Sequence, residues 1–133
     1  MRLWHEQLIP YLPRQQLLGQ HRECCALRGN GWGKPHSVVN YVFKHSRMLL
    51  VAYHVKIMHE MLRRGYTPDN EWWSRSYRGA MLGHEQVTTE DEQTFKLAYA
   101  RYPVYAEHND AYLKECVDNL KSKGIDLTEC FSF

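Results

Sequence analysis

The sequence predicts an all-α fold: a single compact domain over residues 1–133, built of four or five helices with an irregular N-terminal arm. Three observations predict it. Hydrophobic residues make up 44% of the chain and charged residues 24%, the mix of a packed globular protein rather than a disordered one. Apolar residues recur at helical spacing in the stretches that open near Pro13, Ser46, Thr89 and Asn109. Helix stop signals close most of these stretches, at Gly65, Pro103 and Gly124.

In chain order, residues 2–12 read as an extended or irregular arm. Pro13 then suits the first turn of a helix running to about Arg28. On that helix Leu17, Leu18, His21, Cys24, Cys25 and Arg28 share one sector; all but His21 and Arg28 are good core residues. Residues 29–36 form a glycine-rich loop. It lacks the Gly-Lys-Ser/Thr ending of a P-loop, which argues against nucleotide triphosphate binding. Ser37 to Lys44 predicts a short helix, although Val38, Val39, Tyr41, Val42 and Phe43 also suit a strand. Ser46 caps a second long helix, Arg47 to Arg64. Its first half is apolar almost all round, so it is expected to be central and buried. Arg63 and Arg64 favour its C-terminal end through the helix dipole, and Gly65 stops it. Thr67-Pro68 opens a short turn through Trp72 and Trp73, and residues 76–88 read as a loop. Thr89 with Glu92 has capping-box spacing and opens a helix to about Ala100. Asn109 or Asp110 starts the last helix, with Tyr112, Leu113, Cys116, Val117 and Leu120 as its buried stripe.

Composition narrows the function. No window approaches the roughly 20 apolar residues of a membrane span; the longest apolar run is only Met48 to Tyr53. The N-terminus has no signal-peptide core, because Glu6, Gln7, Pro10 and Pro13 interrupt it. Cys24, Cys25, Cys116 and Cys130 show no CxxC spacing and read as reduced thiols of a cytoplasmic protein, nucleoid-associated if bacterial. Eight histidines show no HExxH pattern, and His54 and His59 are five apart, off any common helix face, so neither metal nor cofactor is expected. No Ser or Cys sits in a nucleophile elbow. Charge is unevenly placed. Residues 1–64 hold ten Lys/Arg against three Asp/Glu, and residues 65–133 hold seven against twelve. A basic half of that size suits a phosphate backbone.

One helix face stands out. Opposite the core sector of the first helix lie Gln15, Gln16, Gly19, Arg22, Glu23 and Ala26. Gly19 and Ala26 leave room for close approach beside the charged Arg22–Glu23 pair. The segment Gln16-Leu17-Leu18-Gly19-Gln20-His21-Arg22-Glu23 resembles the first-helix signature of the phage endonuclease V type of pyrimidine-dimer DNA glycosylase, which ends in Arg-Glu. Met1-Arg2-Leu3-Trp4 is similar to that family's short arm. Gly33 to Tyr66 is similar too, with Gly33-x-x-His36, Tyr41, Phe43, a long helix and a closing Leu62-Arg63-Arg64-Gly65-Tyr66. The likeness covers about the first half of the chain.

The resemblance implies a helical monomer that acts without metal or organic cofactor on damaged double-stranded DNA. It implies an N-glycosylase with AP-lyase activity, in which an α-amine forms a Schiff base with the sugar. An α-amine is the better choice than lysine because more of it is neutral at pH 7. Arg2 is large enough to block removal of the initiator, so the nucleophile falls on Met1. Glu23 matches the family's essential glutamate and Arg22 its DNA-contacting arginine. Gln16 stands where the family has a histidine and Ala26 where it has an arginine, with Arg28 nearby as a substitute. The implied site is therefore Met1 and Glu23 as catalytic groups, with Arg2, Arg22, Arg28, Lys34 and His36 as DNA contacts. A non-catalytic nucleic-acid-binding domain is the alternative reading of the same basic half.

Overall fold

The axis of the molecule is α2 (Arg47–Arg63), whose residues are buried on nearly every side, including Leu49, Leu50, Val51, Ala52, Tyr53 and Ile57. The computed structural model of the chain describes residues 1–35 and 38–131. Helix α1 (Arg14–Arg28) packs on one side of α2 and α3 (Thr89–Ala100) on the other, with α4 (Asp110–Ser122) completing the core. Four 3-10 turns, at Glu6–Tyr11, Asn40–Lys44, Asn70–Trp73 and Thr128–Cys130, fill the connections. Among the described residues there is no strand, only an isolated bridge between Tyr77 and His84, so the fold is all-α.

Burial rather than propensity makes α2 a helix. Its β-branched residues cost a few tenths of a kcal/mol each in helix propensity, while burying a large aliphatic side chain contributes about 1.5–3 kcal/mol. The Ser46 hydroxyl accepts from the Met48 N–H at 3.1 Å and starts the helix. Gly65, at φ 88°, ends it in the left-handed region where a side chain is strained.

The ends of the other helices follow the same chemistry, with two adjustments. The capping box of α3 is Thr88 with Asp91, one residue before the expected Thr89–Glu92 pair. The Thr88 hydroxyl accepts from the Asp91 N–H at 3.0 Å and the Asp91 carboxylate accepts from the Thr88 N–H at 3.1 Å. Both pairs have the required spacing, and the shorter aspartate closes the reciprocal bond. The expected helix over 37–44 is only the 3-10 turn Asn40–Lys44; Ser37 lies outside the described residues. The Asn109 side chain caps α4 by accepting from the Tyr112 N–H at 2.9 Å.

The arm, expected to be irregular over residues 2–12, is extended only at its start and forms the 3-10 turn Glu6–Tyr11, and it is well anchored. Leu3 and Trp4 are buried in the core. The Trp4 N–H donates to the Gln20 carboxamide oxygen at 2.7 Å, and the Trp4 carbonyl accepts from the Tyr53 hydroxyl at 2.6 Å. The Leu3 carbonyl accepts from the Tyr112 hydroxyl at 2.6 Å, and the Glu6 N–H donates to His108 Nδ1 at 3.1 Å. Buried Glu6 then takes Lys56 at 2.9 Å and the Val104 N–H at 2.9 Å. Backbone groups that a strand or helix would satisfy are here satisfied by side chains from α1, α2, α4 and the segment just before α4, as burial requires.

The loop before α3 packs on the end of α1. The Arg78 guanidinium donates to the Arg28 carbonyl at 2.9 Å and the Gly29 carbonyl at 3.2 Å. A Cβ at Gly29 would meet the Arg78 carbonyl oxygen at 2.6 Å, so only glycine permits this contact. Glu85 receives both Arg78 and Arg47 at 2.8 Å and holds the loop to α2.

Candidate active site

Met1, Arg2, Trp4, Glu23, Val38, Asn119 and Lys123 line one cavity of about 350 Å³. Four separate parts of the chain build it: the arm, the middle of α1, Val38 before the Asn40–Lys44 turn, and the C-terminal end of α4. Glu23 is half-buried. Burial pushes its carboxyl up from the ordinary value, against the opposing pull of the positive Met1 amine and of Arg22. A carboxyl so raised exchanges protons more readily near neutral pH than a free one does. The Glu23 carboxylate also accepts from the Gln20 amide nitrogen at 3.0 Å.

The residues implicated by sequence have separate fates. Met1 and Glu23 share the cavity. Arg22 is exposed on the next part of the α1 surface, where Arg14, Gln15, Leu18 and Arg22 border a shallow depression. Lys34 is exposed in the glycine-rich loop. Arg2 is held against the protein: its guanidinium pairs with Glu115 at 3.3 Å and lies 5.9 Å from the Trp4 ring and 5.8 Å from the Tyr112 ring. His36 lies outside the described residues.

Arg28 departs most from expectation. It is 0% exposed and does not reach the surface, so it is not a DNA contact in this structure. Its guanidinium donates to the carbonyls of Trp72 at 2.8 Å, Ser74 at 2.7 Å and Tyr77 at 3.2 Å, and lies over the Trp72 ring at 5.1 Å. Its position in the apolar sector of α1 gave the direction of the side chain; the carbonyls that receive it come from more than 40 residues away.

The helix also carries a group with metal-like spacing. Donor atoms of His21, Cys25 and His54 lie within 4.8 Å of one another. Their hydrogen bonds commit them to another role. Arg28 can only donate, and its Nη1 lies 3.0 Å from His54 Nδ1, so the His54 proton is on Nε2. That N–H donates to His21 Nδ1 at 2.8 Å, which places the His21 proton on Nε2. A metal-binding histidine ordinarily donates its second N–H to an acceptor; His54 faces a guanidinium instead. Burial pushes the Cys25 thiol up to about 12 and His54 well below the usual histidine range. The cluster is built as a neutral hydrogen-bonded chain.

Larger clefts lie on the α3 side of α2, around His59 and Tyr99. The acids there, Glu6 and Glu60, are ion-paired to Lys56 and to Arg63 and Arg64, which leaves the Met1–Glu23 cavity as the better place for acid–base chemistry. Asn119 and Lys123, one helical turn apart on α4, were missed in the sequence. Their only signal was basic character at the end of a helix in an otherwise acidic half.

No curated protein and no solved structure matches the chain. The family model described as pyrimidine dimer DNA glycosylase matches residues 1–74, which hold the arm, α1, the glycine-rich loop and α2. That span is more than half of the chain and includes Met1 and Glu23, and the chain belongs to the pyrimidine dimer DNA glycosylase family.

Proposed function

We propose that the chain removes a damaged pyrimidine from double-stranded DNA and then cleaves the backbone at the resulting abasic site. The observation that carries this reading is that Met1 and Glu23 line one cavity, where the charge of the terminal amine acts on the Glu23 carboxyl. The amine nitrogen forms a bond to sugar C1′ as the bond from C1′ to the base breaks, and the base departs with the electron pair and takes up a proton. Opening of the C1′–O4′ bond gives the Schiff base. Loss of a C2′ proton then breaks the C3′–O bond, and the phosphate leaves with the electrons. Glu23 carries protons through these steps.

The cavity suits a sugar with its phosphate. Lys123 and Asn119 supply a cation and an amide in the lining, and Arg22 and Lys34 are exposed cations elsewhere on the surface. Such contacts hold the backbone without reading sequence. Reaching C1′ inside a duplex requires local distortion and displacement of a nucleotide from the stack.

Borohydride reduction tests the reading. The protein with an unblocked N-terminus is expected to form a covalent adduct with abasic-site duplex, and chemical acetylation of that terminus to prevent it. Glu23→Gln is expected to lower strand cleavage by about 10²–10⁴-fold while duplex binding stays within about twofold, a range in which the carboxylate makes no phosphate contact. Absence of an adduct with the unblocked protein would favour a DNA-binding domain without catalysis.

A further inference from the structure

Gln20 is 1% exposed and sits one helical turn before Glu23 on α1. A buried primary amide is costly unless its donors and acceptor are satisfied. Here all of them are. The carboxamide oxygen accepts from the Trp4 N–H at 2.7 Å and shares the single proton of the Tyr53 hydroxyl, 3.0 Å away, with the Trp4 carbonyl at 2.6 Å. The amide nitrogen donates to the Arg2 carbonyl at 2.9 Å and to the Glu23 carboxylate at 3.0 Å. The orientation is fixed by chemistry: the Trp4 N–H can only donate, and the Arg2 carbonyl and the carboxylate can only accept.

The geometry points to Gln20 as the positioning residue of the site, a single side chain that sets the Met1 end of the arm and the Glu23 carboxylate in register with each other. The inference rests on the reading of Met1 and Glu23 as the reacting pair. Gln20 touches no substrate. Its oxygen half holds the arm at Trp4, two residues past Arg2. Its nitrogen half bridges the Arg2 carbonyl, one peptide from the Met1 amine, to the catalytic carboxylate. The reach of the amine and the charge of the acid are thus tied to one group. A glutamate at this position keeps the length but turns two donated bonds into repulsions, and it forces two carboxyls at hydrogen-bonding distance to share a proton.

The test is the titration of the Glu23 carboxyl in the free, full-length protein, followed by ¹³C NMR on glutamate-labelled chains and assigned with Glu23→Gln. Gln20→Glu is expected to raise the Glu23 midpoint by one pH unit or more. It is also expected to slow borohydride trapping on abasic-site duplex at least tenfold at pH 7, with the pH profile displaced to match and duplex binding within twofold. Tyr53→Phe, which removes a bond from the other half of the amide, is expected to leave the Glu23 midpoint in place. A folded Gln20→Glu protein with an unmoved Glu23 midpoint overturns the inference, as does a loss of trapping that is uniform across pH. Should Gln20→Glu not fold, Gln20→Met carries the same test, with a smaller upward displacement expected and an unmoved midpoint again decisive against it. If the wild type forms no adduct, the proposed reaction falls while the NMR titration still decides the role of Gln20.

Discussion

Gln20 and Arg28 lie two turns apart on α1, both buried, and each clasps a stretch of chain outside the four α-helices. The Gln20 junction holds the arm; the Arg28 junction holds the turn from Trp72 to Tyr77. Each is bordered by a neutral histidine that accepts at Nδ1, His108 from the Glu6 N–H and His54 from Arg28. The difference is in the clasp. A carboxamide both donates and accepts, so it satisfies N–H and carbonyl groups together and still has a donor for Glu23. A guanidinium only donates, so it gathers carbonyls and orders the neighbouring imidazoles into a closed chain. One junction opens onto a cavity with an acid and an amine; the other seals the molecule behind it.

Removing the charged clasp gives the largest effect that separates the two. Arg28→Met leaves the Trp72 and Tyr77 carbonyls and His54 Nδ1 without a donor, and each unsatisfied buried group costs about 1–3 kcal/mol. The variant is expected to lose about 3 kcal/mol or more of unfolding free energy by the same accounting, measured by urea denaturation. In the folded fraction, the salt dependence of DNA binding is expected to match the wild type. A shallower salt slope would return Arg28 to the DNA-contacting set.

Acid comes next and probes the arm junction. Burial, with a smaller push from His5, holds His108 down from 6.5 to about 3. The unfolded chain takes up a proton that the folded site refuses. Stability is therefore complete above about pH 6.5 and falls by about 1.4 kcal/mol per pH unit below it, until the folded value near 3 is reached. His108→Gln is expected to flatten that limb of the stability profile by this slope. An unchanged slope would place the acid sensitivity of the fold elsewhere, at His54 first.

The smallest effects belong to exposed cations. Arg22→Ala and Lys123→Ala are each expected to weaken duplex binding by about 1 kcal/mol and to lower the salt slope by about one, with little change in stability. Equal losses from the two would mean that the α4 end of the cavity meets DNA as closely as α1 does.

The helices were legible because their signals are local. The hydroxyl of Ser46, the side chain of Asn109 and the positive φ of Gly65 act within a turn of themselves. The Arg22–Glu23 face was legible as well, since Gly19 and Ala26 mark it within one helix. What was not legible depends on partners distant in the chain. Gln20 reads as an ordinary polar residue until Trp4 and Tyr53 arrive, and Arg28 reads as a cation misplaced in a core sector until residues 72–77 supply its acceptors. Asn119 and Lys123 reach the cavity only because α4 packs against the arm through Tyr112 and Leu3.

The anchoring of the arm makes it a measuring rod. Its zero mark is Trp4, fixed at both its N–H and its carbonyl, and the terminal amine is counted back from there by three residues. One residue added in front of Met1 would carry the amine about 3.5 Å onward, roughly the advance of one extended residue. That is more than the length of a hydrogen bond to Glu23. Under the proposed chemistry, a scar of one or two residues left by tag removal inactivates a correctly folded protein, and a tag placed at the far terminus does not.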